Sequence, residues 1–247
     1  AMTPKTGCVI INSPNNPVGE VYTREKLEAL FDMMRLKEEE YGHPIFLLTD
    51  EPYREITYGK EIPYIPPMYE HTVVCYSWSK SLSLPGERIG YIYVSDLMSE
   101  ALADKAFACV CGAGRAMGYI CAPATSQRIV QECIDEPSDI TQYAQNRDLI
   151  KGIMDRCGFE YVEPDGAFYL WIQAPYGDDI EFMERAKDHE ILIVPSSTFH
   201  GAPGWARLSY CIDPQTIKCS EHAFAALMED YKNGTRTKND CGCGMSA

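Results

Sequence analysis

Short apolar runs and a helical repeat alternate along the first half of the chain. The runs at Cys8–Ile11, Ile45–Leu48, Thr72–Tyr76 and Ile89–Val94 have the length of buried strands. The helical repeat begins after Thr23, a residue type that caps helix N-termini. Strands that alternate with helices predict a largely parallel α/β sheet.

The pattern becomes mostly helical between residues 96 and 137. Gly112–Gly114 and Pro123 interrupt it, and we expect the helices to break there. A further helix is predicted over residues 140–156, where Gly158 follows as a C-cap.

A different pattern follows, with short strands and separate helices that predict an α+β unit. The strands are predicted at Phe159–Val162, Ala167–Ile172, Ile191–Val194 and Ala206–Cys211, and the helices near 178–189 and 214–232.

This change of pattern predicts a domain boundary near residue 138. Residues 1–138 would form a larger domain, and residues 139–232 a smaller one that opens with a connecting helix over 139–157. The polar stretch 233–247 is expected to be a flexible tail.

Composition excludes several protein classes. The chain has 247 residues, 45% of them apolar, and a net charge of −14, which disfavours nucleic acid as a partner. It shows neither a membrane-length apolar run nor a secretory signal, so we expect a cytoplasmic protein without membrane contact. Its 11 cysteines lack CxxC spacing and its histidines lack ligand spacing, so reduced thiols and no metal site are expected.

Polar residues follow three of the predicted strands. Asn15 and Asn16 come after the first, Asp50 ends the second and Ser77 ends the third. Each residue by itself is also typical of a turn or a helix cap. If the strands are parallel, all of these side chains meet at one edge of the sheet, where ligands bind in open α/β sheets.

Four motifs together resemble one family, the fold type I pyridoxal-phosphate (PLP) aminotransferases of classes I and II. They are SPNNPVG at 13–19, DEPY at 50–53, SWSKSLSLPGERIGY at 77–91 and WARLSY at 205–210. The resemblance extends from Ile11 to at least Met228. It implies an incomplete large domain with a mostly parallel sheet, followed by a small α+β domain.

The resemblance implies a role for each residue that matches a motif. Lys80 would join the cofactor aldehyde as an aldimine and carry the proton during catalysis. Asp50 would pair with the protonated pyridine nitrogen. Tyr53 and Asn16 would hydrogen-bond the phenolic oxygen of the ring, and Asn16 would also face the substrate.

The remaining implied roles concern anionic groups. Ser77 and Arg88 would hold the cofactor phosphate, and Arg207 would bind the substrate α-carboxylate as a bidentate fork. Two alternatives stay open from the residues themselves: Arg88 could form a surface pair with Glu87, and Arg207 could face solvent at a strand edge.

The implied reaction transfers an amino group between an L-amino acid and a 2-oxo acid. A related PLP-dependent C–S lyase, a catalytically silent fragment and a ligand-sensing module are the alternatives. Because the family carries a segment before the SPNNPVG loop, we expect this chain to be the C-terminal part of a longer enzyme. A homodimer, or association with the missing N-terminal segment, would then cover the exposed sheet.

Overall fold

The computed structural model describes residues 1–136 and 138–234, and the chain folds into two compact units. The first unit comprises Ala1–Pro14 and Val21–Ser138. The second comprises Asn15–Glu20 and the residues from Asp139 onward. The predicted tail lies outside the described residues from 235 onward, whereas Asn233 and Gly234 are the last residue and the C-cap of the final helix.

A four-stranded sheet organises the first unit, in the order β1-β2-β3-β4. Its strands are β1 (Cys8–Asn12), β2 (Phe46–Asp50), β3 (Thr72–Ser77) and β4 (Gly90–Val94). The first three run parallel, and β4 is antiparallel to β3. The predicted mostly parallel α/β sheet is confirmed, and the carboxyl ends of β1, β2 and β3 lie at one edge.

One face of this sheet packs against helix α1 (Arg24–Tyr41). The Thr23 side chain accepts the Lys26 N–H at its start, and Gly42 ends it in the left-handed conformation. The predicted Thr23 cap is therefore confirmed. The core beneath the helix is apolar and consists of Ile11, Leu27, Phe31, Met34, Ile45, Leu47, Ile65 and Tyr69.

Three more helices follow in this unit: α2 (Trp78–Ser81), α3 (Glu100–Ala116) and α4 (Ala124–Cys133). The predicted break at Gly112–Gly114 is wrong, because α3 continues through it. Glycine costs only about 1 kcal/mol per helical position, and the surrounding residues keep the helix continuous to its last turn, where Met117 N donates to Ala113 O. The break predicted at Pro123 is confirmed, since α4 begins directly after it.

The second unit is built on an antiparallel sheet in the order β5-β6-β8-β7. Its elements are α5 (Thr141–Cys157), β5 (Tyr161–Val162), β6 (Tyr169–Gln173), α6 (Asp179–Asp188), β7 (Val194–Pro195), β8 (Trp205–Ser209) and α7 (Pro214–Asn233). The strand predicted at Ile191–Val194 is wrong over Ile191–Ile193. The Ile191 N–H donates to Ala186 O at the end of α6, so this backbone completes a helix end.

The junction of β3 and β4 leaves no room for a side chain at Gly90. A Cβ atom there would lie 2.3 Å from the backbone oxygen of Tyr76. We expect Gly90→Ala to lower the free energy of unfolding by about 3 kcal/mol, because the strands must separate to admit the methyl group. Urea denaturation measures the loss. Gly86→Ala is the control, since its Cβ would meet nothing within 4 Å; equal effects of the two variants would refute the prediction.

Candidate active site

The carboxyl ends of β1 and β2 bring Asn12 and Asp50 together. They are register partners, and Asn12 Nδ2 donates to the backbone oxygen of Asp50 at 2.7 Å and to its carboxylate Oδ2 at 3.3 Å. Desolvation by the surrounding sheet, together with the nearby negative charge of Glu51, raises the pKa of Asp50 above its ordinary value. A cation placed against this carboxylate would reverse that shift.

Lys80 lies in α2, the single turn that leaves β3. Ser77 starts this turn, because its hydroxyl accepts the Ser79 N–H at 3.2 Å. The Lys80 Nζ lies 5.9 Å from the centre of the Tyr53 ring, which is itself buried in the turn after β2. The ends of β2 and β3 thus place an amine, a phenol and the Asp50 carboxylate in the same unit.

Ser77 and Arg88 are connected through the residue between Arg88 and β4. The Ser77 hydroxyl is within 3.4 Å of Ile89 O, and the Trp78 N–H donates to the same oxygen. Arg88 adopts the left-handed conformation with φ 51°, and its Nη1 donates to Pro85 O at 3.0 Å. Its guanidinium is exposed, and the described residues supply it with no carboxylate partner; Glu87 instead accepts the Ser126 hydroxyl at 2.7 Å.

Arg207 lies in the second unit, between two aromatic rings. Its guanidinium carbon is 4.5 Å from the centre of the Tyr169 ring and 5.0 Å from that of Phe199. Its Nη1 donates to Asn16 Oδ1 at 2.8 Å. Its Nε is buried and has no hydrogen-bond partner in the part of the chain that the structure describes. This donor is available for an anion.

The loop that carries Asn16 belongs to the second unit because of its backbone contacts. Gly19 O accepts the N–H groups of Asp165 and Gly166 at 3.0 and 2.9 Å. Gly19 has φ +81°, and a Cβ there would lie 3.0 Å from Gly166 O and from Pro164 Cβ. Glycine therefore allows this close approach, and the approach holds Asn16 at Arg207.

Asp179 anchors the segment that carries Phe199. This buried carboxylate accepts the Ser196 hydroxyl at 3.1 Å, the Ser197 N–H at 3.0 Å and the Gly204 N–H at 3.4 Å. Burial acts to raise the pKa of Asp179, but these hydrogen bonds outweigh it and lower the pKa below its ordinary value.

We expect Asp179→Asn to lower the free energy of unfolding by about 2 kcal/mol at pH 7, because hydrogen bonds to a charged acceptor are the stronger ones. A carboxyl with a lowered folded-state pKa stabilises the fold above its unfolded pKa of about 3.9 and loses that contribution below it. The difference in the free energy of unfolding between wild type and variant should therefore become smaller as the pH falls through about 3.9. Urea denaturation from pH 7 to pH 3.5 tests this. The exposed Glu229→Gln serves as control, and a gap that stays constant with pH would contradict the assignment.

The seven predicted site residues are divided between the two units, five in a first group and two in a second. The first unit holds Asp50, Tyr53, Ser77, Lys80 and Arg88, and the second holds Asn16 and Arg207. Sequence reasoning missed Asn12, Tyr169 and Phe199. The sequence pattern could have indicated Asn12, because this polar residue ends its strand as Asp50 ends the next one. No sequence pattern indicated the two rings at Arg207.

The first group fits PLP by its chemistry. It offers an amine for an aldehyde, a carboxylate for a protonated ring nitrogen, and, for a phosphate, a hydroxyl with a guanidinium that has no carboxylate partner among the described residues. No cluster of three His, Cys, Asp or Glu side chains suited to a metal ion occurs among residues 1–136 and 138–234. None of the described helices has the length and apolar character needed to cross a bilayer.

Comparison with known proteins gives consistent matches. The family model for aminotransferase class I and II matches residues 1–220. The aspartate aminotransferase of Thermotoga maritima is 30% identical over 210 residues, 83% of this chain and 52% of that protein. The probable aspartate/prephenate aminotransferase of Thermus aquaticus is 30% identical over 232 residues, 93% of this chain and 58% of that protein.

Solved structures match over a similar share. An amino transferase from Eubacterium rectale is 47% identical with a TM-score of 0.88, covering 93% of this chain and 57% of that one. The aspartate aminotransferase from Thermus thermophilus with maleate is 28% identical with a TM-score of 0.76, covering 92% and 58%. The chain therefore spans a little over half the length of these relatives.

Proposed function

This chain belongs to the aminotransferase class I and II family, and on that premise we propose that it transfers an amino group between an L-amino acid and a 2-oxo acid with PLP as cofactor. The observation that carries the proposal is the group in the first unit, where Lys80 Nζ lies 5.9 Å from the Tyr53 ring at the strand ends that also carry Asp50 and Ser77.

We assign the cofactor contacts to residues of the first unit. Lys80 would bind the cofactor covalently, Asp50 would pair with its ring nitrogen, and Tyr53 would donate to its phenolic oxygen. Ser77 and Arg88 would hold its phosphate. When bound, PLP supplies an aldehyde for the amino group and a ring that withdraws electrons from the substrate α-carbon.

The chemical work of the protein then falls on a few side chains. Lys80 as a free amine would accept the proton from the substrate α-carbon and deliver it to the aldehyde-derived carbon of the cofactor. Asp50 as a carboxylate would keep the ring nitrogen protonated. Burial and the charge of Glu51 raise the pKa of Asp50, and a cationic ring nitrogen beside it would lower that pKa again.

Arg207 and Asn16 would bind the substrate. A guanidinium presents two parallel donors that match a carboxylate, and the buried Nε of Arg207 lacks a partner among the described residues. The Asn16 oxygen occupies Nη1 and fixes the plane of the fork. Asn16 would also reach the phenolic oxygen of the cofactor through its amide.

Transamination is favoured over the three alternatives. A C–S lyase would use the same side chains, but the relatives described above carry aminotransferase names. A silent or ligand-sensing module would not require Lys80, Asp50, Tyr53, Ser77 and Arg88 together, and this chain retains all five. From those names we take L-aspartate as the first amino acid to test, with L-alanine and L-phenylalanine beside it.

The proposal is tested by the first half-reaction. The chain is loaded with stoichiometric PLP, an amino acid is added, and the 2-oxo acid and pyridoxamine phosphate are quantified by liquid chromatography. One equivalent of each product per chain is expected with at least one amino acid of the panel. Pyruvate, ammonia and a thiol released from a cysteine conjugate would instead support the lyase, and PLP binding without any product would support the silent module.

A partner is proposed for the second face of the first unit's sheet. Ile10 is 71% and Ile92 49% exposed, and α3 buries none of its residues. A cavity of about 640 Å³ lies between α3 and the strands, with Cys75 and Cys111 in its lining. Because parallel sheets are normally covered on both faces, a second copy of the chain, or the portion of the relatives' length that it does not span, would cover this one.

Sedimentation velocity distinguishes these outcomes. A species near twice 27.8 kDa supports the homodimer. A monodisperse, stable monomer that binds no apolar dye contradicts both forms of the partner proposal. We further propose a cytoplasmic location, which fractionation of the source cells would test.

A further inference from the structure

The turn that carries Lys80 is too short to hold itself in place. Helix α2 has four residues, Trp78–Ser81, and a single turn of helix is unstable in isolation. Its orientation therefore depends on contacts with the rest of the first unit. Two such contacts involve Ser81, the residue after Lys80: Ser138 Oγ donates to Ser81 O at 2.9 Å, and Ser81 Oγ lies 2.8 Å from the hydroxyl of Tyr76.

Tyr76 makes a second hydrogen bond, to the segment that carries Tyr53. Its hydroxyl lies 2.8 Å from Glu55 Oε1, and Glu55 follows Tyr53 by two residues. A carboxylate only accepts, so the Tyr76 hydroxyl donates to Glu55 and must accept from Ser81. The bonds run in one direction, from Ser81 through Tyr76 to Glu55.

The ring of Tyr76 is held independently of its hydroxyl. It stacks on Tyr91 with centroids 5.1 Å apart and meets Trp78 edge-on at 5.5 Å. The residue is 9% exposed, and burial raises the pKa of its hydroxyl, which therefore stays protonated as a donor. The rigid ring makes Tyr76 a fixed point between the two segments.

We propose that Tyr76 is a positioning residue that sets the distance between Lys80 and Tyr53 by joining Ser81 to Glu55. The proposal rests on the function assigned above to Lys80 and Tyr53. It gives a role to a residue that lies outside the four motifs and has no assigned contact with the cofactor. Tyr76 acts through its neighbours and does not itself touch the cofactor.

Tyr76→Phe tests the bridge, because it keeps the ring and removes only the hydroxyl. Hydrogen exchange of the amides in residues 79–84 is measured on the full chain without cofactor, and we expect at least tenfold faster exchange than in wild type. The affinity for PLP at Lys80 should fall about fivefold to tenfold. Tyr93→Phe is the matched control, since its hydroxyl donates to Asp96 at 3.0 Å in an exposed contact that involves neither Ser81 nor Glu55.

A second variant keeps the test decisive if Tyr76→Phe folds poorly. Glu55→Ala cuts the same bridge from its other end, so it should reproduce both effects. The double variant should exchange no faster and bind PLP no more weakly than either single variant. Both substitutions break the same series of hydrogen bonds, so their effects should not add.

Two results would overturn the proposal. One is exchange and PLP affinity in Tyr76→Phe within twofold of Tyr93→Phe. The other is full additivity of Tyr76→Phe and Glu55→Ala, which would mean that the two residues act separately. If the wild-type chain formed no adduct at Lys80, the proposed function would fail, and the exchange measurement by itself would still support or overturn the bridge.

Discussion

Replacing Lys80 with alanine will abolish covalent PLP binding, with labelling at least about 100-fold below wild type. The reason is chemical: the cofactor aldehyde joins the amine of a lysine as a Schiff base, and alanine has no amine. The measurement uses one equivalent of PLP, borohydride reduction, intact-mass analysis and peptide mapping. Wild type should gain one equivalent, and the label should lie on Lys80.

Two further variants separate chemistry from charge. Lys80→Arg keeps a cation near the Tyr53 ring but cannot form the covalent bond, so it should also remain unlabelled. Lys105→Ala removes an exposed lysine of α3 and should label like wild type. Equal labelling of Lys80→Ala and wild type, or a label mapped to another lysine, would refute the assignment of Lys80.

Replacing Arg207 with glutamine will weaken amino-acid binding about 100-fold. Removing a partner of a buried charged hydrogen bond costs about 3 kcal/mol, and 1.4 kcal/mol corresponds to a factor of ten. The readout is the amino-acid concentration that half-converts the PLP-loaded chain. Arg207→Lys should lose most of the affinity as well, because a lysine cannot present two parallel donors between Tyr169 and Phe199.

The control for this prediction is Arg156→Gln. Arg156 belongs to the same unit but already pairs with Glu221 at 2.6 Å on the surface, so its loss should change binding less than twofold. An amine that lacks the α-carboxylate adds a sharper comparison. It should bind weakly and equally to wild type and Arg207→Gln. A variant that loses affinity for this amine and the amino acid alike would show that Arg207 supports the fold and does not read the carboxylate.

Local signals in the sequence predicted most elements of this fold. Thr23 and Gly158 mark helix ends through their own backbone and side-chain chemistry, and each does so in the structure. The apolar runs likewise located β1 to β4. The break predicted at Gly112–Gly114 was wrong, because a glycine lowers helix stability but does not by itself determine where a helix ends.

The contacts that complete the candidate site could not be predicted in the same way. Tyr169 reaches Arg207 because β6 and β8 pair in a particular antiparallel register, with Trp171 opposite Arg207. Phe199 reaches it because Asp179 fixes a segment some twenty residues away along the chain. Register and long-range anchoring depend on the assembled core, and no short window of residues encodes them.

The grouping of residues 15–20 with the second unit determines how this protein can be dissected. The chain passes between the units at three places, so neither unit corresponds to one continuous piece of gene. A fragment that begins at Asp139 would retain both rings beside Arg207 but would lack the Asn16 oxygen that orients it. A fragment that is to keep this hydrogen bond must therefore carry the loop Asn15–Glu20 together with the residues from Asp139 onward.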